Sequence, residues 1–154
     1  MTAPSIPQVV ALAKPGTEEA EGLRLVAYRC PAGVWTIGYG HTGKDVYPGL
    51  RITVERAEEL LERDLTQAAT AVLRLVRVPL TAPQAASLAD FVFNVGEGSF
   101  ASSTLLRKLN ARDYASVPAE LRRWTKGRVN GVLIELPGLV KRREANIKLW
   151  NSTK

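Results

Sequence analysis

The chain's 154 residues are 45% hydrophobic and 23% charged, enough apolar material for a buried core and unlike the makeup of a disordered chain. A single cysteine, Cys30, excludes an intramolecular disulfide, and one cysteine with one histidine argues against a structural zinc site, so no cofactor is implied. The net charge of +6 is uneven, with ten Lys or Arg against four Asp or Glu from Ala111 onward, and this favours an anionic partner, whether envelope polymer or nucleic acid.

Residues 1–16 hold three of the nine prolines and no clear period, so a loose arm is expected, with at most a helical turn within residues 8–13. The apolar run Val9-Val10-Ala11-Leu12-Ala13 is too short to span a bilayer and follows no basic region, which predicts no export segment and no stable membrane insertion. Thr17 is placed to cap a short helix, with Glu18 and Glu19 at its positive end and Gly22 closing it just after Glu21. Alternation in residues 23–28 and the β-branched, aromatic stretch Val34-Trp35-Thr36-Ile37 predict a hairpin about the turn Cys30-Pro31-Ala32-Gly33. Turn residues 43–49 then lead to a third short strand, Leu50-Arg51-Ile52.

Thr53 caps a long helix, about 54–77, whose apolar residues Ala57, Leu60, Leu61, Leu65, Ala68 and Val72 share one face. Thr81 and Gln84 form a capping box for the next helix, which ends at Gly96. Helices over Ser103–Asn110 and Asp113–Trp124 follow, the latter interrupted at Pro118. Thr125–Glu135, with Asn130-Gly131, reads as an exposed loop or tight ribbon. Pro137 opens a last helix with Leu139, Val140, Ile147 and Trp150 facing inward. The class is α+β, mainly α, with a small sheet lobe at about 17–52, a linking helix, and a helical lobe at about 80–154, all within one domain from residue 17.

Glu21, Cys30 and Thr36 set a carboxyl, a thiol and a hydroxyl around the predicted helix end and hairpin, with eight residues between the first pair and five between the second. This spacing resembles the active-site segment of the phage-type lysozymes, glycoside hydrolase family 24. Two further stretches resemble the same family in order, Phe91-Val92-Phe93-Asn94-Val95-Gly96 with the run to Leu106, and Leu136-Pro137-Gly138-Leu139-Val140-Lys141-Arg142-Arg143-Glu144. The resemblance runs from about residue 20 to the end and implies a lysozyme-like fold. It also implies an endolysin muramidase that cleaves the β-1,4 bond between N-acetylmuramic acid and N-acetylglucosamine in peptidoglycan. Such a protein is made in the host cytoplasm and acts on the wall, reaching it through a holin.

On that resemblance Glu21 is the general acid, and Cys30 and Thr36 position the attacking water, with net inversion at the anomeric carbon. The plain rivals are a solvated helix-terminal glutamate, a buried cysteine and a strand threonine. Asn94 and Tyr39 are candidates for the sugar, with helix C-capping an equal role for Asn94. His41 is expected to pair with Asp64 on the long helix; a Cys30–His41 thiol dyad has no second motif behind it. Either Arg142 or Arg143 is expected to face Glu21. Anionic envelope polymers are expected partners of the basic half, nucleic acid is not, and the chain is expected to be a monomer. The alternatives are a silent peptidoglycan-binding or basic nucleic-acid-binding domain, and a lytic transglycosylase.

Overall fold

The computed structural model describes residues 2–152. Helix α1 runs Ile6–Glu21 and leads into strands β1 (Arg24–Arg29), β2 (Trp35–Gly38) and β3 (His41–Thr42), an antiparallel sheet in that order. Long α2 (Val54–Leu75) is followed by α3 (Ala82–Val95), α4 (Glu97–Ala101), α5 (Thr104–Asn110), a 3-10 turn (Tyr114–Ser116) and α6 (Val117–Leu121). A two-stranded ribbon, β4 (Lys126–Val129) and β5 (Val132–Glu135), leads into α7 (Pro137–Trp150).

The first element corrects the expectation of a loose arm over residues 1–16. Ser5 and Gln8 form a capping box, and Pro7 falls in the first turn, where its missing N–H costs nothing. Val9, Val10, Ala13 and Thr17 then bury one face against α2 and α3. Pro15 breaks the backbone ladder inside the helix, yet Ala11 and Pro15 both lie on its exposed side, where water can reach the freed carbonyl. Lys14 fastens the same turn to α2 through ion pairs with Glu58 at 2.7 Å and Glu62 at 3.0 Å. Long-range packing therefore outweighs local helix breakers.

The main core gathers Leu61, Leu65 and Val72 of α2, Leu88 and Phe91 of α3, Phe100, Leu105, Leu109 and Leu121, and Trp150 of α7. Phe91 stands edge-on to Phe100 and Trp124, with ring centres 6.2 and 5.4 Å away. A second, smaller core under the sheet joins Ile37, Val46 and Leu60. Because α2 contributes to both, it is the shared wall of the two.

Three further expectations change. The third strand is His41–Thr42; the stretch 50–52 runs beside β1 with only an isolated bridge from Arg51 to Val26. Residues past Gly96, given no element in the sequence, form the short helix α4. The inward face of α7 is polar as well as apolar: Arg142, Arg143 and Asn146 are buried beside Ile147 and Trp150, while Leu139 and Val140 are only half-buried.

Candidate active site

Glu21 is the last residue of α1, and its carboxyl is held from two sides. The helix stops because Gly22 takes φ 70°, its N–H still bonding the Glu18 carbonyl at 2.9 Å. From the sheet, Gly40 comes so close that a β-carbon there would lie 2.7 Å from Glu21 Cδ, and its φ of 76° separately favours glycine. From α7, Arg142 Nη1 donates to Glu21 Oε2 at 2.6 Å. The side chain keeps 20% exposure, so the carboxyl is fixed yet reachable. Gly40→Ala is expected to lower stability by about 1 kcal/mol or more through its positive φ. It is also expected to lower wall-degrading activity per folded molecule by roughly tenfold, by displacing the carboxyl; denaturation curves and reducing-end release measure the two effects.

Arg142 is itself buried and clamped by Asp90 of α3, to which Nε donates at 3.1 Å and Nη2 at 2.8 Å. Asp90 also accepts the Thr17 hydroxyl at 2.6 Å and Asn146 Nδ2 at 2.8 Å. Burial pushes the Asp90 carboxyl up, but Arg142, Thr17 and Asn146 together outweigh it and hold it below the usual range. Arg143, the next residue on the helix, turns elsewhere: it is fully buried, stacks 5.0 Å from the Phe91 ring and donates to Asn94 Oδ1 at 2.6 Å. Burial and the neighbouring Arg142 charge bring it down to about 10. It is thus Arg142 that faces Glu21, and the Asn94 carbonyl oxygen is taken by Arg143, while Gly96 caps α3.

Cys30 and Thr36 form a second cluster across the hairpin. The turn closes through Gly33 N–H to the Cys30 carbonyl at 2.8 Å and Cys30 N–H to the Val34 carbonyl at 3.0 Å. Burial raises the Cys30 thiol, but hydrogen bonds from the Val34 and Ala32 backbone and the Thr36 hydroxyl outweigh it, so the net shift is downward. The buried Thr36 hydroxyl has one hydrogen and two takers; in this geometry it donates to the Val34 carbonyl at 2.9 Å. Tyr39, expected at the sugar, packs against the main core and places its hydroxyl at Glu58 of α2.

Between sheet and helices lies a cavity of about 260 Å³, lined by Gly40 and Thr42, by Gln67 of α2, and by Val92, Phe93 and Glu97. Asp64 also lines it and holds His41, whose Nδ1 lies 2.7 Å from Asp64 Oδ2 and whose Nε2 lies 3.0 Å from Asp45. Burial lowers the imidazole, but the bonds to Asp64 and Asp45 win and raise it, and the bond to His41 in turn lowers Asp45. The raised His41 stabilises fully below its unfolded value near 6.5 and loses this as pH rises through its folded value. Asp45 contributes above its unfolded value near 3.9 and loses it on acidification. Stability is therefore expected to be greatest between roughly pH 4 and 6.5 and to fall above that range, the fall disappearing in His41→Asn; denaturant midpoints across pH measure it.

Asp90, Gly40, Thr17 and Asn146 are site residues that sequence reasoning missed. One signal was available: Asp90 is the only charged residue in α3, and a lone carboxylate on an apolar helix requires a buried cation.

The fold thus presents a carboxyl off a helix end, between a small sheet and a helical body, with Arg142 bonded to it. Residues 18–146 match the Phage lysozyme family, and the chain belongs to that family. An endolysin of Acyrthosiphon pisum secondary endosymbiont phage 1 is 47% identical over 132 residues, covering 86% of this chain and 90% of that protein. A SAR-endolysin of Escherichia phage Mu is 42% identical over 131 residues, covering 85% and 74%. Among solved structures, the muramidase domain of SpmX from Asticaccaulis excentricus matches with a TM-score of 0.82 at 36% identity, covering 94% of this chain and 95% of that one. The protein is accordingly a lysozyme hydrolase of the endolysin type, with peptidoglycan as substrate. Among the described residues no helix is long and apolar enough to cross a membrane.

Proposed function

We propose that this endolysin hydrolyses the β-1,4 bond between N-acetylmuramic acid and N-acetylglucosamine, with Glu21 as general acid and Cys30 and Thr36 positioning the attacking water. The observation that carries this reading is the Glu21 carboxyl, fixed between Gly40 and Arg142 yet open to solvent beside the cavity. Glu21 protonates the leaving glycosidic oxygen while water attacks the anomeric carbon from the opposite face of the sugar. The Thr36 hydroxyl, between the Val34 carbonyl and Cys30, keeps lone pairs with which it accepts a bond from that water and orients the oxygen. Cys30, its thiol held below its usual range by the hairpin backbone, stands beside Thr36 to position the same water. No covalent intermediate forms, and the configuration inverts. The basic C-terminal half favours association with anionic envelope polymers.

The test is digestion of purified peptidoglycan, with reducing ends counted and the first-formed anomer read by NMR. New reducing ends of inverted configuration support the proposal. A 1,6-anhydro product without new reducing ends would identify a lytic transglycosylase instead, and wall binding with no product a silent binding domain.

A further inference from the structure

Asp90 is 5% exposed and touches every helix that positions Glu21. From α3 it reaches α1 through Thr17, one turn before Glu21, and α7 through both Arg142 and Asn146. We propose that Asp90 is a positioning residue for hydrolysis: it locks the Arg142 guanidinium in register against Glu21 and supplies the countercharge that lets the acid keep its proton. The proposal rests on Glu21 being the general acid.

The geometry argues for the lock. Two of the three guanidinium nitrogens are committed to Asp90, at 3.1 and 2.8 Å, and only Nη1 is left for Glu21. The planar fork transmits orientation, so where Asp90 places Nε and Nη2, Nη1 must follow. Asp90 is in turn held by the Thr17 and Asn146 bonds, which leaves the carboxylate little freedom to turn.

The electrostatics argue for the countercharge. An uncompensated guanidinium 2.6 Å from a carboxyl would strongly favour the ionised form, the wrong one for a proton donor. Asp90 on the far side of Arg142 cancels much of that field inside a poorly screened interior. Few other charges bear on Glu21. On its own helix Glu18 is turned to Glu58 and Lys14, the hairpin sets the Gly40 backbone against the carboxyl and carries the Cys30 thiol, and Glu19 and Lys141 line, together with Asp90 and Arg142, a groove between α1 and α7. Arg142 is thus the charge bonded to the acid, and Asp90 is the countercharge bonded to Arg142.

The experiment measures kcat and KM on soluble glycan strands across pH for the parent, Asp90→Asn, Asp90→Asn/Arg142→Gln and Glu21→Gln, with folded fraction followed by circular dichroism. Asp90→Asn is expected to lower kcat per folded molecule by about tenfold with KM within about threefold, and to move the basic limb of the kcat profile down by about one pH unit. The double variant, which has neither charge, is expected to return the limb to within about half a unit of the parent while kcat stays low, because the tether on Glu21 is gone. A folded Asp90→Asn protein with an unmoved limb would overturn the proposal, since a purely structural role changes only the folded fraction. Should Asp90→Asn fail to fold, the double variant decides: a limb about one unit or more above the parent's means Asp90 was cancelling nothing. Retained activity in Glu21→Gln would refute the acid assignment itself, an outcome distinct from a failure at Asp90.

Discussion

Glu21→Gln is expected to reduce reducing-end release from purified peptidoglycan by at least ~10²-fold, the scale of removing a general acid, with little change in stability. The amide keeps the shape of the carboxyl and its oxygen can still accept from Arg142 Nη1, but it has no proton that the glycosidic oxygen can take. Arg142 is not stranded by the change, because Asp90 still holds two of its nitrogens. Wall binding should persist, since the cavity between Thr42, Gln67 and Phe93 is untouched. Cosedimentation with peptidoglycan at full strength alongside lost hydrolysis is the pattern that separates a chemical role from a folding role. A variant that hydrolyses at the parent's rate would remove Glu21 from the mechanism.

Arg142→Met is expected to destabilise the protein by about 3–5 kcal/mol, the range for breaking a buried ion pair by removing one partner. Asp90 would remain buried with only Thr17 and Asn146 donating to it, both neutral groups. Methionine fills much of the volume, so the loss is mainly electrostatic and not that of a cavity. The adjacent Lys141→Met, at an exposed position, is expected to stay within about 0.5 kcal/mol, which makes it the internal control. The effect has a pH signature. Asp90 is held below the ordinary carboxylate range, so its contribution is present above its unfolded value near 3.9 and is lost as pH falls through the folded value. The gap between parent and variant should therefore narrow on acidification, as chemical denaturation at several pH values would show. A constant gap would mean that packing, not charge, is what Arg142 contributes.

Much of the fold was legible along the chain because the signals were local. The Thr81–Gln84 capping box, the Thr53 cap with the three-and-four spacing of α2, the hairpin about Gly33, and the Asn130-Gly131 turn of the ribbon each depend on residues within a turn or two of one another. Where local signals conflicted with packing, the reading failed. Pro15 and Gly16 argue for a break inside α1, and only Lys14 with Glu58 and Glu62, together with the buried Val9, Val10 and Ala13, shows why the helix continues.

The candidate site divides along the same line. The spacing of Glu21, Cys30 and Thr36, and the presence of an arginine-bearing last helix, are properties of the sequence by itself, as are the class of the fold and the basic balance of the C-terminal half. Which arginine meets Glu21 was decided only in three dimensions. Neighbours on a helix diverge by about 100°, so Arg142 and Arg143 enter different surroundings, the first meeting Asp90 and Glu21 and the second Asn94 and Phe91. The same holds for Gly40, whose missing side chain makes room for a carboxyl nineteen positions earlier, and for Asp90, whose partners lie on α1 and α7. Charge in a protein interior is settled by what surrounds it, and those surroundings come from segments that the chain brings together only when it folds.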